Sequence, residues 1–184
     1  KFAFVKIANP AKKDGKDGEK YDQYELTLLV RDNQNIAAIE AAINEVIKDK
    51  FPKVPRARLF LPIKAVEDCV NKQGELYAGF EGFAQSIKFV SYKLPACFDM
   101  DRNEIPAEEV YSGCRGRVMA YAKDFSFKDD KGMTTQGVRL VMLSVQKSAE
   151  GERISEGASA AAFSDEGDTD EDAAVKSAKD ALYG

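Results

Sequence analysis

Residues Gly113–Phe127 read GCRGRVMAYAKDFSF. As a strand they divide into two unlike faces, because successive side chains point to opposite sides. Cys114, Gly116, Val118, Ala120 and Ala122 make a small, mostly apolar face suited to a packed interior. Arg115, Arg117, Met119, Tyr121, Lys123, Phe125 and Phe127 interleave cations with aromatics on the other. That combination matches single-stranded nucleic acid, whose phosphates attract cations and whose unstacked bases pack on aromatic rings. The competing reading packs the rings on another element and leaves the arginines at its rim.

Neighbouring segments carry the same residue types. Lys88, Phe89, Tyr92 and Lys93 cluster in one strand-like stretch, and Arg139 lies in another. Lys12, Lys13 and Lys16 fall in a Gly-rich loop, and Lys128 and Lys131 in a second. Of these, Lys12, Lys13, Lys88, Phe89, Tyr92, Lys93 and Arg139, with Arg115, Arg117, Tyr121, Lys123, Phe125 and Phe127, are the candidate DNA-binding set. In an OB fold the loops joining strands 1–2 and 4–5 line the nucleic-acid groove.

Catalysis finds less support. Histidine is absent, which removes Ser-His and Cys-His chemistry and the common zinc sites. The three cysteines, Cys69, Cys97 and Cys114, form no CxxC spacing and read as small buried hydrophobes in a reducing compartment. Lys12-Lys13-Asp14-Gly15 fits the KxDG pattern of nucleotidyl transferases without their supporting motifs. Asp99–Asn103 begins like a calcium loop, but Glu104 and Val110 stand where that loop needs Gly and Glu. No metal or cofactor is expected. The alternatives are a small nucleotidyl transferase and a protein–protein interaction module.

The elements that must position these residues follow from periodicity. Phe2–Ala8 and Tyr21–Arg31 read as strands flanking a loop at Asn9–Lys20. Ile36, Ile39, Ile43, Val46 and Ile47 recur at helical spacing, with Asp32, Asn33 or Asn35 as cap and Pro52 and Pro55 as stops. Further strands are expected within Arg58–Ile63, Phe83–Tyr92, Gly113–Phe127 and Val138–Lys147. No apolar run approaches a membrane span.

The net charge of −4 is unevenly distributed. Residues 149–184 hold ten acids and three bases, a net −7, which leaves +3 on residues 1–148. The expected organisation is therefore a binding domain over 1–148 and a disordered acidic tail over 149–184. Tethered to a cationic groove, such a tail has a high local concentration and can occupy it when DNA is absent.

The stretch Glu108–Ala122, EEVYSGCRGRVMAYA, resembles a segment of a bacteriophage single-stranded DNA-binding family formerly catalogued as a domain of unknown function. Asp101-Arg102-Asn103, Tyr77-Ala78-Gly79 and the Ala- and Ile-rich helix fit its layout over about residues 20–148. The resemblance implies a mostly β OB fold, a five-stranded Greek-key barrel with one main helix. It also implies a non-catalytic, sequence-tolerant binder of single-stranded DNA, active in replication or recombination in the host cytoplasm, with homodimerisation by analogy. Acidic tails with an aromatic near the end recur in replicative single-strand binders. Here Asp165, Glu166, Asp168, Asp170, Glu171, Asp172 and Tyr183 would recruit replication or recombination proteins.

Overall fold

The computed structural model describes residues 1–15, 18–32, 34, 36–128 and 132–154. Its elements are β1 (Phe2–Asp14), β2 (Lys20–Val30), helix α1 (Ala37–Lys50), β3 (Ile63–Ala65), β4 (Gln85–Ser91), β5 (Ala96–Phe98), β6 (Arg115–Lys128) and β7 (Thr134–Ala149). The seven strands form one sheet, ordered β1-β2-β4-β7-β5, with β3 beside β4 and β6 on β7. β7 runs parallel to β4 and β5, and the other pairs are antiparallel. Five or more strands were expected. The three-residue β5 is additional, and β3 meets the expected Arg58–Ile63 strand only at Ile63; both are too short for sequence periodicity to register.

β1 also runs further than expected. Its pairing with β2 shifts register between Lys6 and Ala11, an irregularity that takes in Pro10, which has no N–H for the ladder. Beyond it, Ala11–Asp14 pair with Lys20–Gln23, so strand replaces most of the expected loop. At its start, the Phe2 N–H donates to the Cys114 carbonyl at 2.9 Å. The Gly113 N–H donates back to the Phe2 carbonyl, also at 2.9 Å.

The helix forms where its apolar spacing places it. Ile43 is fully buried, and Ile36, Ile39, Val46 and Ile47 pack around the main core. That core joins Phe2, Ile7, Leu26, Ile87, Phe89, Leu140, Met142 and Val145. Asp32 does not hold the cap position. Ile36 holds the N-cap position without a side-chain bond, and Asn33 and Asn35 lie outside the described residues. The small face of β6 contributes Val118, Ala120 and Ala122 to the core margin, and α1 packs on this strand. Cys97 and Cys114 are buried and Cys69 half-buried, all as free thiols. Burial pushes the Cys97 thiol up to about 11, far from a reactive thiolate.

The expected strand at Arg58–Ile63 breaks up around Pro62. A 3-10 turn covers Arg56–Arg58, and Phe60 then bridges to Gly137 on β7. The Phe60 N–H donates to the Gln136 carbonyl at 2.9 Å, and its carbonyl accepts from the Val138 N–H at 3.0 Å.

The compact unit spans Lys1–Ile154. Residues 150–154, grouped with the tail on composition, are strapped to the segment before β6. The Tyr111 hydroxyl donates to the Glu150 carboxylate and contacts the Gly151 carbonyl at 3.0 Å. The Arg153 guanidinium lies 3.9 Å from the Tyr111 ring centre. The Ile154 N–H donates to the Ser112 carbonyl at 2.8 Å, and its side chain joins a second core of Ala3, Leu29, Val66 and Phe80. Gly113 permits the approach. Its φ is +119°, and a Cβ there would sit 1.9 Å from the Glu152 carbonyl oxygen.

Candidate nucleic-acid interface

Strand register decides which side chains share a face. On β4, Ile87 and Phe89 enter the core, so Lys88 and Val90 point the other way. Thr27 and Glu25 of β2 stand opposite Lys88 and Val90, and directly opposed residues project to the same side. Tyr21 and Gln23 continue that face along β2. On β7, Val141 lies beside Val90, and Arg139 shares its side. On β6, Lys123 is opposite Arg139 and Tyr121 opposite Val141. Four strands thus present one outward surface.

Its centre is a groove of about 720 Å³ walled by Tyr21, Phe60, Tyr92, Phe125 and Phe127 around Lys88 and Arg139. The rings fall into two groups, a tyrosine pair and a run of three phenylalanines. Tyr21 and Tyr92 have centroids 5.6 Å apart, Phe60 and Phe125 6.1 Å, and Phe125 and Phe127 stack at 6.4 Å. The Arg139 guanidinium lies 5.3 Å from the Tyr92 ring and 5.8 Å from Phe125. It donates to the Tyr92 hydroxyl at 2.6 Å, while its buried Nε has no hydrogen-bond partner. Planar, permanently charged and held against two rings, it presents a donor fork for phosphate or base edges.

One acid tempers the groove. Glu25 pairs with Lys88 at 3.2 Å and accepts from the Gln23 amide. Burial opposes its ionisation, but the Lys88 charge and the hydrogen bonds from Lys88 and Gln23 outweigh it, so the carboxyl titrates below the ordinary range. A depressed carboxyl contributes stability above its unfolded value, lost as pH falls through the folded one. Glu25→Gln is therefore expected to flatten the fall in Tm on acidification through this range. The same substitution frees Lys88 and should tighten binding of an anionic strand about five-fold at low salt, about 1 kcal/mol. Melting curves against pH and a titration with a dT oligomer check the two parts.

The expected residues divide clearly. Lys88, Tyr92, Phe125, Phe127 and Arg139 meet in the groove. Tyr121 and Lys123 share its face, and Lys13 stands opposite Tyr21 in register. Arg117 lines a separate hollow with Arg102, Met119 and Gln146. Arg115 borders another with Arg31 and Glu152, roughly 33 Å along the strand from Phe125. Lys12 falls on the opposite side of the hairpin, paired with Asp22 at 2.5 Å. Lys93 is exposed in the turn after β4. Phe89 must be withdrawn from the set. It is 2% exposed, because its neighbour Lys88 takes the outward position and strand alternation sends Phe89 into the core. Lys16, Lys131 and the tail residues Asp165, Glu166, Asp168, Asp170, Glu171, Asp172 and Tyr183 lie outside the described residues.

Two walls were not anticipated. Tyr21 was legible, since Tyr21, Gln23 and Glu25 alternate with the apolar face of β2. Phe60 carried no local signal, because its place depends on pairing with Gly137 far along the chain. Among the described residues no group of His, Cys, Asp or Glu could hold a metal, and no helix is long and apolar enough to cross a membrane.

Fold and groove together define a mostly β protein with an outward face that combines aromatic rings and cations. Residues 1–174 match the family model described as the ssDNA-binding protein of Enterobacter phage Enc34, and the chain belongs to that family. The resemblance carried by Glu108–Ala122 is thereby borne out. The single-stranded DNA-binding protein of bacteriophage Enc34, solved in complex with ssDNA, is 24% identical with a TM-score of 0.55. That match covers 84% of this chain and 85% of that one. A C-terminal truncation of the same phage protein is 25% identical with a TM-score of 0.55, covering 83% of each chain. No curated protein matches the chain. These relatives are binding proteins, in accord with the expectation of a non-catalytic chain.

Proposed function

We propose that this chain binds single-stranded DNA in the groove, with little regard to sequence. Bases stack on Tyr21, Tyr92, Phe60, Phe125 and Phe127, and phosphates meet Lys13, Lys88, Lys123 and Arg139. The observation that carries this reading is Arg139 held between Tyr92 and Phe125 on the floor of an aromatic cleft. The Enc34 protein solved in complex with ssDNA supports the choice of ligand. The sheet is read as an OB-type Greek-key barrel, in which the β1–β2 and β6–β7 hairpins flank the groove. In the host cytoplasm the protein would coat exposed strands during phage replication or recombination, as a monomer or homodimer. Its acidic tail would compete with DNA for the groove and, once displaced, recruit replication proteins.

The chain has no Trp and seven Tyr, of which Tyr21 and Tyr92 line the groove, so part of the intrinsic tyrosine fluorescence responds to its occupation. Adding a dT oligomer should quench it, with much weaker binding to duplex DNA. Tyr92→Ala should cost about 1–3 kcal/mol while keeping the salt slope. Lys123→Ala should instead lower that slope by about 0.7. Unchanged affinity in both variants would remove the DNA from this face.

A further inference from the structure

The segment joining α1 to β3, together with β3 itself, carries Lys53, Arg56, Arg58 and Lys64, and no acid between Phe51 and Ala65, in a chain of net charge −4. All four cations are exposed. The groove accounts for none of them, yet the strip adjoins it. Phe60 is 52% exposed and is the shared wall. On one side it lines the groove, and on the other a hollow of about 640 Å³ with Arg56, Leu61 and Lys64. The Lys64 ammonium lies 5.8 Å from the Phe60 ring centre. The Arg56 guanidinium donates to the neutral Asn44 side chain, which orients it without cancelling its charge. Backbone bonds to Gln136 and Val138 fix the Phe60 backbone in place.

We propose that this strip is a second nucleic-acid surface continuous with the groove. A single strand leaving the groove crosses the Phe60 ring and lays its phosphates on Arg56 and Lys64. An arginine fork and a lysine point charge flanking an exposed ring repeat the groove's own chemistry over the next stretch of strand. The proposal rests on the groove reading and extends it.

The test is length dependence. Anisotropy titrations use labelled dT oligomers from about 4 to about 16 nucleotides. They compare the full chain with the Arg56→Gln, Lys64→Gln double variant and with Tyr92→Ala. The double variant should match the parent on the shortest oligomers and bind the longest about ten-fold more weakly. Its salt slope on the longest should be smaller by about 1.4, as two lost phosphate contacts require. Equal affinity at every length, or the same loss at every length, would overturn the strip. Tyr92→Ala should weaken binding at all lengths. If it weakens none, the groove reading is what fails. Should the double variant lose the native Tm, Lys64→Gln alone substitutes for it, with about half the change in slope.

Discussion

Replacing Arg139 with alanine is expected to weaken binding of a dT oligomer about thirty-fold, near 2 kcal/mol. The estimate combines a charge-assisted contact to DNA with the rings that Arg139 props apart. Its guanidinium touches both Tyr92 and Phe125, so its loss lets the two walls of the groove relax toward each other. The substitution should also lower the salt slope by about 0.7. Arg139→Lys separates the two contributions. Lysine keeps the charge but cannot lie flat between two rings, so the salt slope should stay near its original value while most of the affinity is lost. Titrations at two salt concentrations distinguish the outcomes. Full affinity in the alanine variant would mean that DNA does not enter between these rings.

The second large effect is expected at a residue with no side chain. A Cβ at Gly137 would lie 2.0 Å from the Phe60 carbonyl oxygen and 2.7 Å from its nitrogen. No rotamer relieves a clash with backbone, so Gly137→Ala must push Phe60 off β7. Two backbone hydrogen bonds are lost, and the Phe60–Phe125 contact goes with them. The cost should be about 3 kcal/mol, a fall in Tm of roughly 10 °C for a domain of this size. Binding should also weaken, because one groove wall has moved. The control is Phe60→Ala, which leaves the backbone stitch intact. It should lower affinity by the stacking contribution alone and leave Tm within a few degrees. If Gly137→Ala melts like the parent, the Phe60 bridge is not holding the wall.

These two sites mark the division between what was legible in the sequence and what was not. The outward face of β6 could be read because one long strand alternates without interruption from Arg115 to Lys123. Helix α1 could be read because its isoleucines repeat with its turn. The family could be read from Glu108–Ala122. The groove itself could not, because it is made by lateral pairing. Arg139 meets Tyr92 through the parallel contact of β4 with β7, and Phe60 arrives by a bridge outside any regular strand. Sequence also grouped Lys88 with Phe89 by adjacency, although neighbours on a strand face opposite ways. The expected cationic row proved too long for one site. Arg115 and Arg117 sit beside different hollows, well away from the rings.

The strap at residues 150–154 bears on how this protein can be cut. Ile154 fills the second core and would meet a Cβ on Gly79 at 2.6 Å, while Glu152 lies directly on Gly113. A chain ended after Ala149 loses that plug and the Tyr111 bonds, and is expected to melt at a lower temperature than the parent. A chain ended after Ile154 keeps both. Two truncations a few residues apart therefore report different things, one on the acidic tail and the other on the integrity of the domain. Only the longer one gives a clean measure of what the tail does to DNA.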